Sequence, residues 1–107
     1  TFVNKLNQII KTNIDNPDFS VENLADLLNI SRIQLYRKIK AMFDVNVSDY
    51  INNIRLEQAK SMLQNPGLTI SEIAYKTGFS SPNYFSTVFK NKFGVSPNVF
   101  RKSVGED

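Results

Sequence analysis

Between Ser31 and Lys40 there are four cations and no acid: Arg32, Arg37, Lys38 and Lys40, with Ile33 and Tyr36 among them. Guanidinium and ammonium groups gathered this closely attract polyanions, nucleic acid above all. A solvated helix face has the same composition, so charge alone leaves both readings open. Other chemistry is poorly provided for. The 107 residues include no His, no Cys and no Trp. That removes the usual ligands of zinc, haem and iron–sulfur clusters, along with Ser-His and Cys-His nucleophile pairs. The carboxylates are scattered at helix ends or along the acidic first segment, where they complement helix dipoles. There is no glycine-rich phosphate loop and no cluster with metal-ligand spacing. The sequence therefore argues for binding and against catalysis, with no cofactor and no metal.

The balance of 13 Lys+Arg against 10 Asp+Glu gives a net charge of +3, but its spread is uneven. Residues 1–30 hold two cations and four acids, a net −2; residues 31–60 hold six and three, a net +3; residues 61–107 hold five and three, a net +2. A hydrophobic fraction of 41% suits a globular core, and this length allows one domain or two very small ones. No uncharged apolar run approaches the roughly 18 residues of a membrane span, and no signal peptide opens the chain. The absence of disulfides fits a reducing compartment. Since the chain opens on Thr1 rather than Met, a piece of something longer is expected.

The elements that would position these residues are helical. Phe2, Val3, Leu6, Ile9 and Ile10 form a one-sided stripe, ended by Asn16-Pro17. Ser20 and Ser31 are caps for a second and a third helix, the latter running to about Phe43. Asn46 or Ser48 caps a long fourth helix ending at Asn65-Pro66-Gly67. Thr69 caps a fifth, which stops at Gly78; Ser81-Pro82 and Ser96-Pro97 start a sixth and a seventh, with Gly94 as the stop between them. The predicted fold is all-α. In the fourth helix Tyr50, Ile51 and Ile54 point one way, and Leu56, Ala59 and Leu63 point roughly 145° away. That pattern describes a strut shared by two small subdomains. The expected division is 1–48, a linker helix at 49–65, and 66–107.

The chain also repeats itself. A shift of 49 pairs Ser20, Val21, Leu24 and Ala25 with Thr69, Ile70, Ile73 and Ala74. After the turn a shift of 50 pairs Ser31, Leu35, Ile39, Lys40 and Phe43 with Ser81, Phe85, Phe89, Lys90 and Phe93. Helix, tight turn and second helix thus occur twice, the pattern in which the second helix enters a DNA major groove. In the third helix Leu35, Ile39 and Met42 are core-facing by spacing, and Ile33, Tyr36, Arg37 and Lys40 stand opposite, with Arg32 at the helix start. In the sixth, Phe85, Val88, Phe89 and Phe93 face the core, and Asn83, Ser86, Thr87 and Lys90 stand opposite. Arg reads guanine, Asn reads adenine, and an apolar group touches a thymine methyl. An isoleucine on a polar face is otherwise hard to explain. Tyr36 could equally pack against its neighbours, and Ser86 and Thr87 could simply face solvent.

These residues resemble the DNA-binding domain of the AraC/XylS family of bacterial transcription regulators over essentially the whole chain. The segments that carry the resemblance are SVENLADLLNISRIQLYR from Ser20, YINNIRLEQAKSML from Tyr50, and the most specific stretch, IAYKTGFSSPNYFSTVFKNKFGVSP from Ile73. The resemblance implies seven helices in two helix-turn-helix subdomains joined by a long helix. It also implies two recognition helices reading successive major-groove segments of double-stranded DNA. Base contacts then fall to Ile33, Tyr36 and Arg37, and to Asn83, Ser86 and Thr87. Lys40 and Lys90 become phosphate contacts, with Arg32 and Ser81 at the two helix starts completing the set. It further implies transcriptional activation, RNA polymerase as a partner, dimerisation through a domain outside these residues, and a cytoplasmic bacterial setting. A narrower likeness, to the output domains of hybrid two-component sensors, adds the cytoplasmic end of a membrane-anchored protein. Three departures stand out. Thr87 occupies a position where many relatives have Arg, and Asp44 and Val47 stand where the usual turn and helix start would have Gly and Pro, which Gly94 and Pro97 keep. Arg55 matches a family arginine with a structural role, expected to pair with an acid such as Glu57 or Glu72. A helical protein–protein adaptor also explains the fold and the strut, but not two matched polar stripes bearing Arg and Lys.

Overall fold

Small polar residues set where the helices begin. Thr1 caps α1 (Phe2–Thr12), Ser20 caps α2 (Val21–Leu27), Ser31 caps α3 (Arg32–Phe43) and Thr69 caps α5 (Ile70–Lys76). Three of these are reciprocal capping boxes, Ser20 with Asn23, Ser31 with Gln34 and Thr69 with Glu72. Each satisfies two backbone N–H groups that a helix start leaves without partners. Asn46 caps α4 (Val47–Met62), its Oδ1 accepting from the Asp49 N–H at 2.8 Å, so Ser48 lies inside the helix. Ser81 caps α6 (Pro82–Phe93), and Ser96 Oγ accepts from the Val99 N–H at the start of α7 (Pro97–Gly105). The computed structural model describes residues 1–105, and among these the fold is all-α with seven helices and no strand. No helix among the described residues is long and apolar enough to cross a membrane.

The chain divides into two compact units, the first ending at Ile54 and the second starting at Arg55. In the first, Leu6 and Ile10 of α1 meet Leu24 and Ala25 of α2, Leu35 and Ile39 of α3, and Val47 and Ile51 of α4. Leu35 and Ile39 are wholly buried and fix the inner side of α3, each contributing about 1.5–3 kcal/mol of burial free energy. Met42 departs from expectation. It is 47% exposed, because the buried cluster takes only Leu35 and Ile39 from α3, and the last turn runs past it. In the second unit, Leu56, Ala59 and Leu63 meet Ile73 and Ala74 of α5 and Phe79, Phe85 and Phe89. The two apolar directions along α4 thus serve two different cores, as its pattern requires.

The repeat holds down to individual bonds. Ile30 N–H donates to Ala25 O at 3.1 Å and Phe79 N–H to Ala74 O at 3.0 Å, each closing the helix before the turn. The left-handed residues also correspond: Asn29 (φ 58°) with Gly78 (φ 89°), and Asp44 (φ 57°) with Gly94 (φ 83°). Between Ile30 and its cap Ser31 there is no residue, whereas Ser80 stands between Phe79 and Ser81. Ser80 is therefore the inserted residue that changes the shift from 49 to 50.

Candidate nucleic-acid interface

With its inner side anchored, α3 turns Ile33, Tyr36, Arg37 and Lys40 outward. Ile33 is 62% exposed, a large cost in wetted apolar surface that the fold itself does not require. Tyr36 is 38% exposed, and Arg37 is exposed with no carboxylate within 4 Å among the described residues. The other three cations of the run have partners. Arg32 Nη1 lies 3.5 Å from Glu22 Oε1, and its guanidinium carbon lies 5.9 Å from the centre of the Tyr36 ring. Tyr36 first, and Glu22 after it, raise the Arg32 pKa above its ordinary value. Lys40 Nζ lies 2.9 Å from Asp44 Oδ1, and Lys38 Nζ lies 5.1 Å from the centre of the Phe2 ring on α1. Ser20, Val21, Glu22, Arg32 and Tyr36 line a shallow groove of about 250 Å³ between the start of α2 and α3.

On α6 the equivalent residues are Asn83, Ser86, Thr87 and Lys90. Asn83, Thr87 and Lys90 are exposed, and Ser86 is half-buried. Thr87 Oγ1 donates to Asn83 O at 3.1 Å, which ties its hydroxyl to the helix and leaves oxygen lone pairs outward. Ser81 is half-buried, and its Oγ accepts from the Tyr84 N–H at 3.1 Å, so its first duty is to cap α6. Each unit thus brings its own candidate residues onto one helix. Two acids beside this set, Glu22 and Asp44, escape a reading of the sequence for cations. Asp44 was legible as the fourth residue after Lys40; Glu22, ten residues before Arg32, meets it only across the turn. No group of three or more His, Cys, Asp or Glu stands where it could hold a metal ion among the described residues.

Comparison with known proteins agrees with this geometry. The helix-turn-helix domain family profile matches residues 24–103. The Msm operon regulatory protein of Streptococcus mutans is 36% identical over 103 residues, which span 96% of this chain and 37% of that protein. Histidine kinase P4 of Formosa agariphila is 35% identical over 99 residues, 92% of this chain and 7% of that protein. The crystal structure of an AraC-type transcriptional regulator from Chromobacterium violaceum matches with a TM-score of 0.89 at 28% identity, covering 98% of this chain and 93% of that one. The chain belongs to the AraC/XylS family. It is a DNA-binding regulator domain of that family and not an enzyme, and it spans just over a third of the first of these relatives and a small fraction of the second.

Within the AraC/XylS pattern, Arg55 is the position whose environment is most distinctive. It is only 9% exposed, on the α4 turn that enters the second unit. Burial lowers its guanidinium pKa below the usual value, and Tyr84 acts in the opposite direction. A charged side chain held this deeply belongs to the scaffold. At Asp44, the repeat counterpart of Gly94, the backbone keeps the left-handed conformation, which Asp tolerates better than most residues.

Proposed function

We propose that this domain recognises double-stranded DNA sequence-specifically, with α3 and α6 each presented to a major-groove segment. Ile33, Tyr36 and Arg37 face bases in the first module, and Asn83, Ser86 and Thr87 do so in the second. Lys40 and Lys90 hold phosphates, and Arg32 and Ser81 flank the two helix starts. The observation that carries the reading is the pair of exposed faces at equivalent repeat positions on two helices whose inner sides are fully buried. In the subdomain division that goes with it, residues 1–48 and 66–107 form the modules and 49–65, which hold most of α4, link them.

The domain serves as the output part of a longer bacterial regulator that activates transcription with RNA polymerase and dimerises through another domain. The likeness to a histidine kinase supports a place in a two-component system, with the domain working in the cytoplasm, at the end of a membrane-anchored sensor. Selection of binding sites from a random duplex pool tests the reading. A bipartite site, its halves about one helical turn apart, is expected. Recovery of a single short half-site would overturn the two-module arrangement. No enrichment at any salt concentration would leave the protein–protein adaptor as the better account.

A further inference from the structure

We propose that Glu22 and Asp44 are built-in counterions that hold down this domain's attraction to DNA phosphates, an inference that rests on the DNA-binding reading above. Both acids sit beside cations of the α3 face: Glu22 3.5 Å from Arg32 and Asp44 2.9 Å from Lys40. Their side chains are 69% and 89% exposed, so neither is drawn in by packing.

The second unit serves as an internal control. The repeat equivalents of Glu22 and Asp44 are Ser71 and Gly94. Lys90, the equivalent of Lys40, has no carboxylate within 4 Å among the described residues. The helix-turn-helix therefore forms without either acid. At Asp44 the backbone adds a further argument. A φ of 57° suits glycine best, and glycine stands at the equivalent position. An acid retained where the backbone favours glycine is accounted for by its contact with Lys40.

A lysine or arginine that neutralises a phosphate releases a condensed counterion from the duplex, and this release drives sequence-independent binding. A cation that already holds a carboxylate must lose it first, or else carry an extra negative charge into the interface. Exposed pairs are weak, so the acids tune the attraction without blocking it. Arg37, with no carboxylate within 4 Å among the described residues, keeps its guanidinium for a base edge.

The test uses the 107-residue chain, random-sequence duplex, and fluorescence anisotropy across a salt series. Glu22→Gln and Asp44→Asn keep size and hydrogen-bonding groups, and Asn tolerates the left-handed backbone. Asp15→Asn, at an exposed acid beyond α1 that makes no ion pair with an α3 cation among the described residues, removes the same charge. Glu22→Gln and Asp44→Asn should each tighten binding several-fold at low salt. Each should also steepen the dependence of log K on log salt by up to about one ion. Asp15→Asn should do neither. Unchanged or weaker binding in both variants, or an equal gain in Asp15→Asn, overturns the proposal. If the wild type itself binds no duplex at low salt, the DNA-binding reading fails; if it binds and the variants match it, only the counterion assignment fails. Circular dichroism and thermal melts of each variant establish that the folded state is being compared.

Discussion

Arg37 and Thr87 occupy equivalent places on α3 and α6, yet their means of reading a base differ. An arginine can offer two parallel donors to guanine; a threonine offers one hydroxyl, here already bonded to Asn83 O. Replacing Arg37 with Ala should cost about 1–3 kcal/mol of binding and relax one base position. Thr87→Ala should cost clearly less. Equal losses, measured by titration at fixed salt, would show that the two modules contribute alike. The cations of the α3 face were legible as residues, because four of them crowd into ten positions without an acid. Their partners were less so. Lys38 lies over Phe2, thirty-six residues away in sequence, and nothing in the local pattern links the two. Such pairings depend on which helices become neighbours, and the spacing of charges along one helix carries no information about that.

At the level of the element, helix starts were the most legible feature, since a cap is a local hydrogen bond between residues three apart. Stops differ between the units. The first uses Asn29 and Asp44 in left-handed conformations and the second uses Gly78 and Gly94. Side chains in that region meet a backbone clash costing roughly 1–2 kcal/mol, less for Asn and Asp. Gly94→Ala should therefore lower stability by about 1–2 kcal/mol through the backbone alone, because a Cβ there meets no atom within 4 Å. Asn29→Gly should raise stability by about 0.5–1 kcal/mol. Urea unfolding at neutral pH measures both, and a stable Gly94→Ala protein would mean that the α6 stop shifts to another residue. Met42 marks the limit of periodicity as a guide. Its angle around α3 suits the core, but burial also requires a neighbour at that height along the helix. How far a stripe extends inward depends on the lengths of the helices beside it.

Across the whole molecule, the two cores differ in chemical type. The second is built around Phe79, Phe85, Phe89, Phe93 and Phe100, whereas the first includes Tyr50, whose hydroxyl donates to Asn7 Oδ1 on α1 and whose ring stacks near Phe43. Burial raises the Tyr50 pKa above its ordinary value near 10. A tyrosine whose pKa is raised by folding contributes stability that is intact below about pH 10 and is lost as pH climbs through the higher folded value. The first unit should therefore weaken on going above about pH 10 in a way that Tyr50→Phe removes. Thermal melts of both proteins between neutral and alkaline pH give the comparison, and parallel curves would exclude Tyr50 as the cause. The overall architecture could be read from the two apolar directions along α4, because a helix that changes its buried side midway must serve two cores.

That same helix has a practical consequence for anyone dissecting the protein. The division between the units falls at Ile54 and Arg55, inside a continuous helix of 16 residues. A cut there would leave the last carbonyls of the first fragment without N–H donors and the first N–H groups of the second without carbonyl acceptors. Extending each fragment to include all of α4 would instead leave Leu56 and Ala59, or Val47 and Ile51, bare to water. The duplicated halves are thus not cassettes bounded by loops. Swapping one module for that of a relative has to be done within the turns of the helix, matching its register residue by residue.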